Sequence, residues 1–194
     1  MKVRTAILLA VLAEVAVAAL GVNNYGWTID GLQATTRFSG RLSLFIFSFI
    51  FLLYPGNQAI LEKYFSGNYF LIFAVAHGIH LIELLNFVYW SGTELVPYRV
   101  AGGFLAYLLI FIMPWVKFRL EKNKISDARF NTLTTVYCYY TWFIFFMTYI
   151  ARLNGSFANA GDSHAVHITL MGWVCVILGI KLIGVIANKS KSTE

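Results

Sequence analysis

Apolar residues gather along this chain into six runs, at about 5–22, 38–54, 68–90, 99–116, 131–152 and 165–187, divided by short polar stretches. Each run approaches the ~20 residues with which a helix, rising ~1.5 Å per residue, spans ~30 Å of hydrocarbon. Barrel strands would be ~10 residues of strict in-and-out alternation, and these runs show no such pattern. Inside lipid every backbone amide needs a partner, which leaves helices. The pattern predicts an all-α polytopic membrane protein, a single domain over residues 1–194 built as a six-transmembrane-helix bundle.

The polar stretches set the expected orientation. Lys2, Arg4, Lys63, the segment KFRLEKNKISDAR (117–129), Lys181, Lys189 and Lys191 fall on one side and hold eleven of the fifteen basic residues. Arg37, Arg41, Arg99 and Arg152 fall on the other. Basic residues concentrate on the cytoplasmic side of membrane proteins, so both termini are expected to be cytoplasmic. Tyr54-Pro55-Gly56-Asn57 and Asn154-Gly155 are turn signals at the ends of two runs. The first run has the basic start and small residues of a signal peptide, but Glu14 interrupts it, and it reads as a retained first helix.

Composition agrees with this picture. The chain is 59% hydrophobic and 12% charged, and a soluble domain carries about twice that charged fraction. The net charge of +6 has the distribution that membrane orientation requires, which argues against a nucleic-acid partner. Cys138 and Cys175 lie inside apolar runs in no ligand spacing, so neither a disulfide framework nor a zinc site is implied.

The candidate chemistry sits in the third run. His77 and His80 are three residues apart and share a helix face, and Glu83 continues the stripe. Ionisable groups at mid-membrane are costly and face the bundle interior, where they mark functional sites. Imidazole ligates iron, copper and zinc and relays protons. His77, His80 and Glu83 are therefore candidate metal ligands, and Glu14 is a further embedded acid that would pair across the bundle. His164 and His167 form a second pair at the outer end of the sixth run, after a helix start capped by Asp162 or Ser163. Measured from the predicted helix ends, His80 and His167 differ in depth by on the order of 10 Å, which speaks against one shared iron. Arg37 and Arg41, four apart at the predicted start of the second helix, share a face suited to an anion such as a carboxylate, phosphate or headgroup.

Three stretches, TRFSGRLSLFIFSFIFLLYPG, FAVAHGIHL and FNTLTTVYCYYTWFIFFMTYIAR, resemble the ferric reductase-like transmembrane family, which includes the haem-bearing subunit of periplasmic methionine sulfoxide reductase. The resemblance covers about residues 36–152. It implies six helices, b-type haem held by histidines and electron transfer across a membrane of the bacterial inner-membrane type. Carried over, His77 or His80 matches the third-helix haem ligand. On a haem-bearing reading the outer arginines, Arg37 and Arg41 among them, would lie near propionates or a substrate. The family places a histidine near the start of the fifth helix, where this chain has Thr134. At most one haem b is then expected, with a second ligand from the sixth helix (His164 or His167), an open position or a partner chain.

The chain has no flavin or nucleotide fingerprint, so the expected electron partner is a quinone or another protein. Two further readings stand beside an oxidoreductase component. One is a haem-free helical subunit of a larger membrane complex. The other is a metal site or proton path through His80, Glu83 and Glu14.

Overall fold

The computed structural model describes residues 2–65, 67–94, 97–155 and 162–191, without side chains at 97–99 and 187–191. Seven helices account for the regular structure of the described residues: α1 (Val3–Tyr25), α2 (Ile29–Leu53), α3 (Gln58–Tyr64), α4 (Tyr69–Ser91), α5 (Pro97–Glu121), α6 (Asp127–Leu153) and α7 (His164–Lys191). No strand occurs among those residues. Five of the helices, α1, α2, α4, α5 and α7, are long and apolar enough to cross a membrane. Their outward faces carry large apolar side chains such as Leu8, Leu12, Phe104, Ile183 and Ile186. The chain is a multi-pass helical membrane protein.

α6 is as long as its neighbours but more polar. Asn131, Thr132, Thr134 and Thr135 occupy its first turns. Thr132, Thr135 and Thr148 donate their hydroxyls to the carbonyls four residues back, which satisfies them within the helix. Its buried positions, Phe130, Thr134, Tyr137, Cys138, Thr141, Phe145 and Tyr149, lie along one stripe.

The second helix begins nine residues before the predicted boundary, at Ile29. The segment DGLQATT lacks the hydropathy of a membrane helix, yet Thr28 caps it by accepting from the Gly31 amide at 3.2 Å. Gly31, Ala34, Thr35 and Thr36 are buried. α1 approaches this face closely at Gly21, where a Cβ would stand 2.8 Å from the Thr35 amide nitrogen. Small residues, not apolar ones, make this helix joint.

α2, α4, α5, α6 and α7 pack in sequence into a closed ring, α7 returning to α2, while α1 lies outside in the groove between α2 and α4. Lipid tails are as apolar as the side chains, so burial from water does not drive these contacts. Close packing and hydrogen bonds do. Phe47 sits at the ring's centre with ring centroids 5.6 Å from Phe73, 5.5 Å from Phe145 and 6.4 Å from Tyr137. Trp173 Nε1 donates to Ser48 Oγ at 3.0 Å and joins α7 to α2. Trp142 Nε1 donates to the Val174 carbonyl at 2.9 Å and joins α6 to α7. At the end bearing α3, the Tyr54 hydroxyl donates to Asn131 Oδ1 at 2.5 Å, and Lys117 meets Glu62 at 3.3 Å.

Candidate functional site

A polar layer crosses the bundle at the midpoints of α1, α2 and α4, where Glu14, Arg41 and His80 lie. His77 Nδ1, His80 Nδ1, Glu83 Oε2, both Glu14 oxygens, Ser39 Oγ and both His167 nitrogens are buried without a hydrogen-bond partner among the described residues. Native structures leave few such atoms, and each asks for a cause. Others, such as Thr134 and Tyr69, lie towards the α3 end, but this group gathers around the helix midpoints.

His77 is held by aromatic rings. Its imidazole stacks on Tyr107 at 4.7 Å and on Phe73 at 5.2 Å, with the edge of Phe145 at 5.9 Å. His80 follows one turn on, its ring 5.2 Å from that of His77. It faces the Thr36 backbone and the charge of Arg152, and it lies against Gly40. The helical stripe predicted for these two histidines is present. Glu83 continues it towards a different neighbour: its carboxyl and that of Glu14 both face the Ser39 hydroxyl.

The outer arginines are not surface groups at a helix start. Because α2 begins at Ile29, Arg37 and Arg41 lie well inside it, and Arg37 is buried. Both reach Asp162, which stands just before α7: Arg37 Nε at 3.6 Å, and Arg41 Nη2 in the closest contact of the pair. Arg37 also meets Gln33 at 3.5 Å, and the Arg41 guanidinium lies over the Phe38 ring. Arg152 and Tyr149 of α6 share this field. The side chain of Arg99 lies outside the described residues.

The His164–His167 pair divides. His164 is exposed, whereas His167 is 4% exposed and sits in the field of Arg152, Asp162 and Arg41. The expected depth gap between His80 and His167 is corrected. From the Trp173–Ser48 bond, His167 is six residues back along α7 and Gly40, which touches His80, is eight back along α2. At ~1.5 Å per residue these climbs are ~9 and ~12 Å, so the two histidines differ by only ~3 Å. A depth gap measured from the helix ends assumes that those ends are level. They are not: α4 continues eleven residues beyond His80, while α7 starts three residues before His167. The α6–α7 side therefore stops on the order of 10 Å short of the α4 side.

Thr134 is wholly buried, but it belongs to another level. It neighbours Tyr54, and on α6 the residue beside His77 is Phe145, eleven residues and ~16 Å further along. Among the described residues no three His, Cys, Asp or Glu side chains are grouped as a metal site would need. A tetrapyrrole would find donor nitrogens and arginines in this layer. Beside His77 it would meet a ring interior already filled by Phe47, Phe73, Tyr107 and Phe145.

From sequence, Asp162 reads only as a helix cap, and Ser39 and Tyr107 carry no signal of their own. Their spacing from the histidines holds no local signal, because the fold brings them there from three other elements. Comparison with protein-family models, with curated proteins and with solved structures finds no match to this chain.

Proposed function

We propose that the chain is a membrane redox component of ferric reductase-like type, spanning the membrane six times with both termini cytoplasmic. It holds at most one b-type haem. The observation that carries this reading is the similar depth of His80 and His167, with His80 Nδ1 and both His167 nitrogens unpartnered among the described residues, in the field of Arg152 and Arg41. Bound haem supplies one-electron chemistry. His80 and His167 are the residues that would hold it, and the arginines would pair with its acidic groups. His77, stacked between Phe73 and Tyr107, positions its neighbour His80. A quinone or a partner protein exchanges the electron.

The visible spectrum of the purified, dithionite-reduced protein tests this reading. A Soret band that disappears in both His80→Ala and His167→Ala, and survives in His77→Phe, is the expected result. A preparation without any Soret band sinks it. Reporter fusions at the two termini and in the 154–163 segment test the six-span arrangement, which fails if α6 leaves both its ends on one side.

A second reading, a haem-free subunit of a membrane complex, is favoured by one observation. The aromatic side chains fill the ring interior around His77 as a well-packed core does. Its mark would be a colourless protein that co-purifies with a partner at fixed ratio.

A further inference from the structure

The second half of the polar layer lies outside the ring. α1 packs on α2 and α4, and at that three-helix joint each contributes one oxygen-bearing side chain: Glu14, Ser39 and Glu83. Glu14 is 1% exposed and Ser39 is 0% exposed, and Glu83 is partly buried. The groups that act on Glu14 are Ser39 and Glu83, and Ser39 acts on Glu83. The Ser39 hydroxyl thus stands between two carboxyls that come from different helices.

The nearby positive charges are committed elsewhere. Arg37 and Arg41, on the same helix as Ser39, meet at Asp162. Arg152 acts on His80 and His167. Among the described residues both oxygens of Glu14, one of Glu83 and the Ser39 hydroxyl lack a well-formed hydrogen bond, the hydroxyl lying near both carboxyls without closing on either. Two carboxyls in apolar surroundings cannot both keep an uncompensated negative charge, since like charges sharing a site oppose each other's ionisation. Carboxylate and hydroxyl oxygens are hard donors, suited to a proton or a small hard cation and unsuited to soft metals.

We propose that Glu14, Ser39 and Glu83 form a cation-accepting site at the joint of α1, α2 and α4, taking a proton or a sodium-like ion. The site is separate from the histidines and independent of whether haem binds. Ser39 bridges the two carboxyls, donating its hydroxyl to whichever is ionised. Because the ligands come from three helices, occupation of the site fastens α1 to the ring.

Dicyclohexylcarbodiimide tests the site in the full-length protein in detergent. The reagent adds a carboxylic acid O–H across its C=N bond, and the resulting acylisourea rearranges to a stable acylurea detectable by mass spectrometry. In sodium-free, mildly acidic buffer we expect the adduct at Glu14 or Glu83. Glu14→Gln and Glu83→Gln each remove it from their own position, and the double variant loses it at both. Protection by added sodium chloride, with none from choline chloride, identifies the ion as sodium-like. Equal labelling in both salts identifies a proton. Absence of label at both glutamates in protein that elutes as a single folded species overturns the proposal, whatever its spectrum shows. Labelling that persists unchanged in Ser39→Ala in both salts overturns the part assigned to the hydroxyl.

Discussion

Gly40 and His80 touch across the α2–α4 joint: a Cβ on Gly40 would stand 3.2 Å from the imidazole Cε1. The glycine is thus what lets the imidazole lie close against α2. Gly40→Ala should displace the ring by a few tenths of an ångström, and Gly40→Leu should expel it. We expect about 1–3 kcal/mol of lost stability for the leucine variant, the usual cost of overpacking. Denaturation in sodium dodecyl sulfate reads it. A leucine variant as stable as the parent would show that the ring has another place to go.

Gly21 carries a sharper constraint, because its neighbour is backbone. A Cβ there would come 2.8 Å from the Thr35 amide nitrogen, whereas at Gly172 it would meet nothing within 4 Å. Gly21→Ala should cost about 1–3 kcal/mol and loosen α1. Gly172→Ala should be neutral or stabilising by up to ~1 kcal/mol, since alanine is the better helix former. Equal effects of the two changes would contradict this packing.

Asp162 joins two arginines, with side-chain exposure of 10% against 5% for Arg37. Removing one member of a buried ion pair leaves the rest uncompensated, so Asp162→Asn should cost on the order of 3 kcal/mol. The Lys117–Glu62 pair is a useful contrast at 3.3 Å, because the Glu62 side chain is 46% exposed. Glu62→Gln should change stability by less than about 1 kcal/mol. The two variants can be ranked in the same unfolding assay.

Tyr54 and Asn131 tie α2 to the polar start of α6 through a 2.5 Å hydrogen bond. Tyr54→Phe leaves the Asn131 carbonyl oxygen without that donor and should cost about 1–2 kcal/mol. If α6 depends on such ties, hydrogen exchange of its first two turns should also quicken in this variant, while α7 stays protected.

The helical class was legible in the apolar runs, because a membrane span is written in length and hydropathy. The start of α2 was not. Gly31, Ala34, Thr35 and Thr36 are buried by contact with α1, and a hydropathy pattern reads small and hydroxyl residues as loop. Misplacing that start put Arg37 and Arg41 at the surface, when they lie at the centre of the bundle. The His77–His80 stripe followed from helical spacing alone. Its relation to His167 did not, since depth depends on how far each helix overshoots its neighbour. Asp162 and Ser39 gained their roles only through tertiary placement.

The unequal heights of the helices have a consequence for the surrounding lipid. A bilayer adapts to the hydrophobic length of the wall it meets, by thinning, tilting or drawing headgroups inward, at fractions of a kcal/mol per Å. Beside α4 that wall runs on for eleven residues past His80, while α7 begins three residues before His167. One flank of the protein therefore asks for a thick membrane and the other for a thin one. Headgroups dipping over the short flank would arrive at the depth of Asp162 and Arg41.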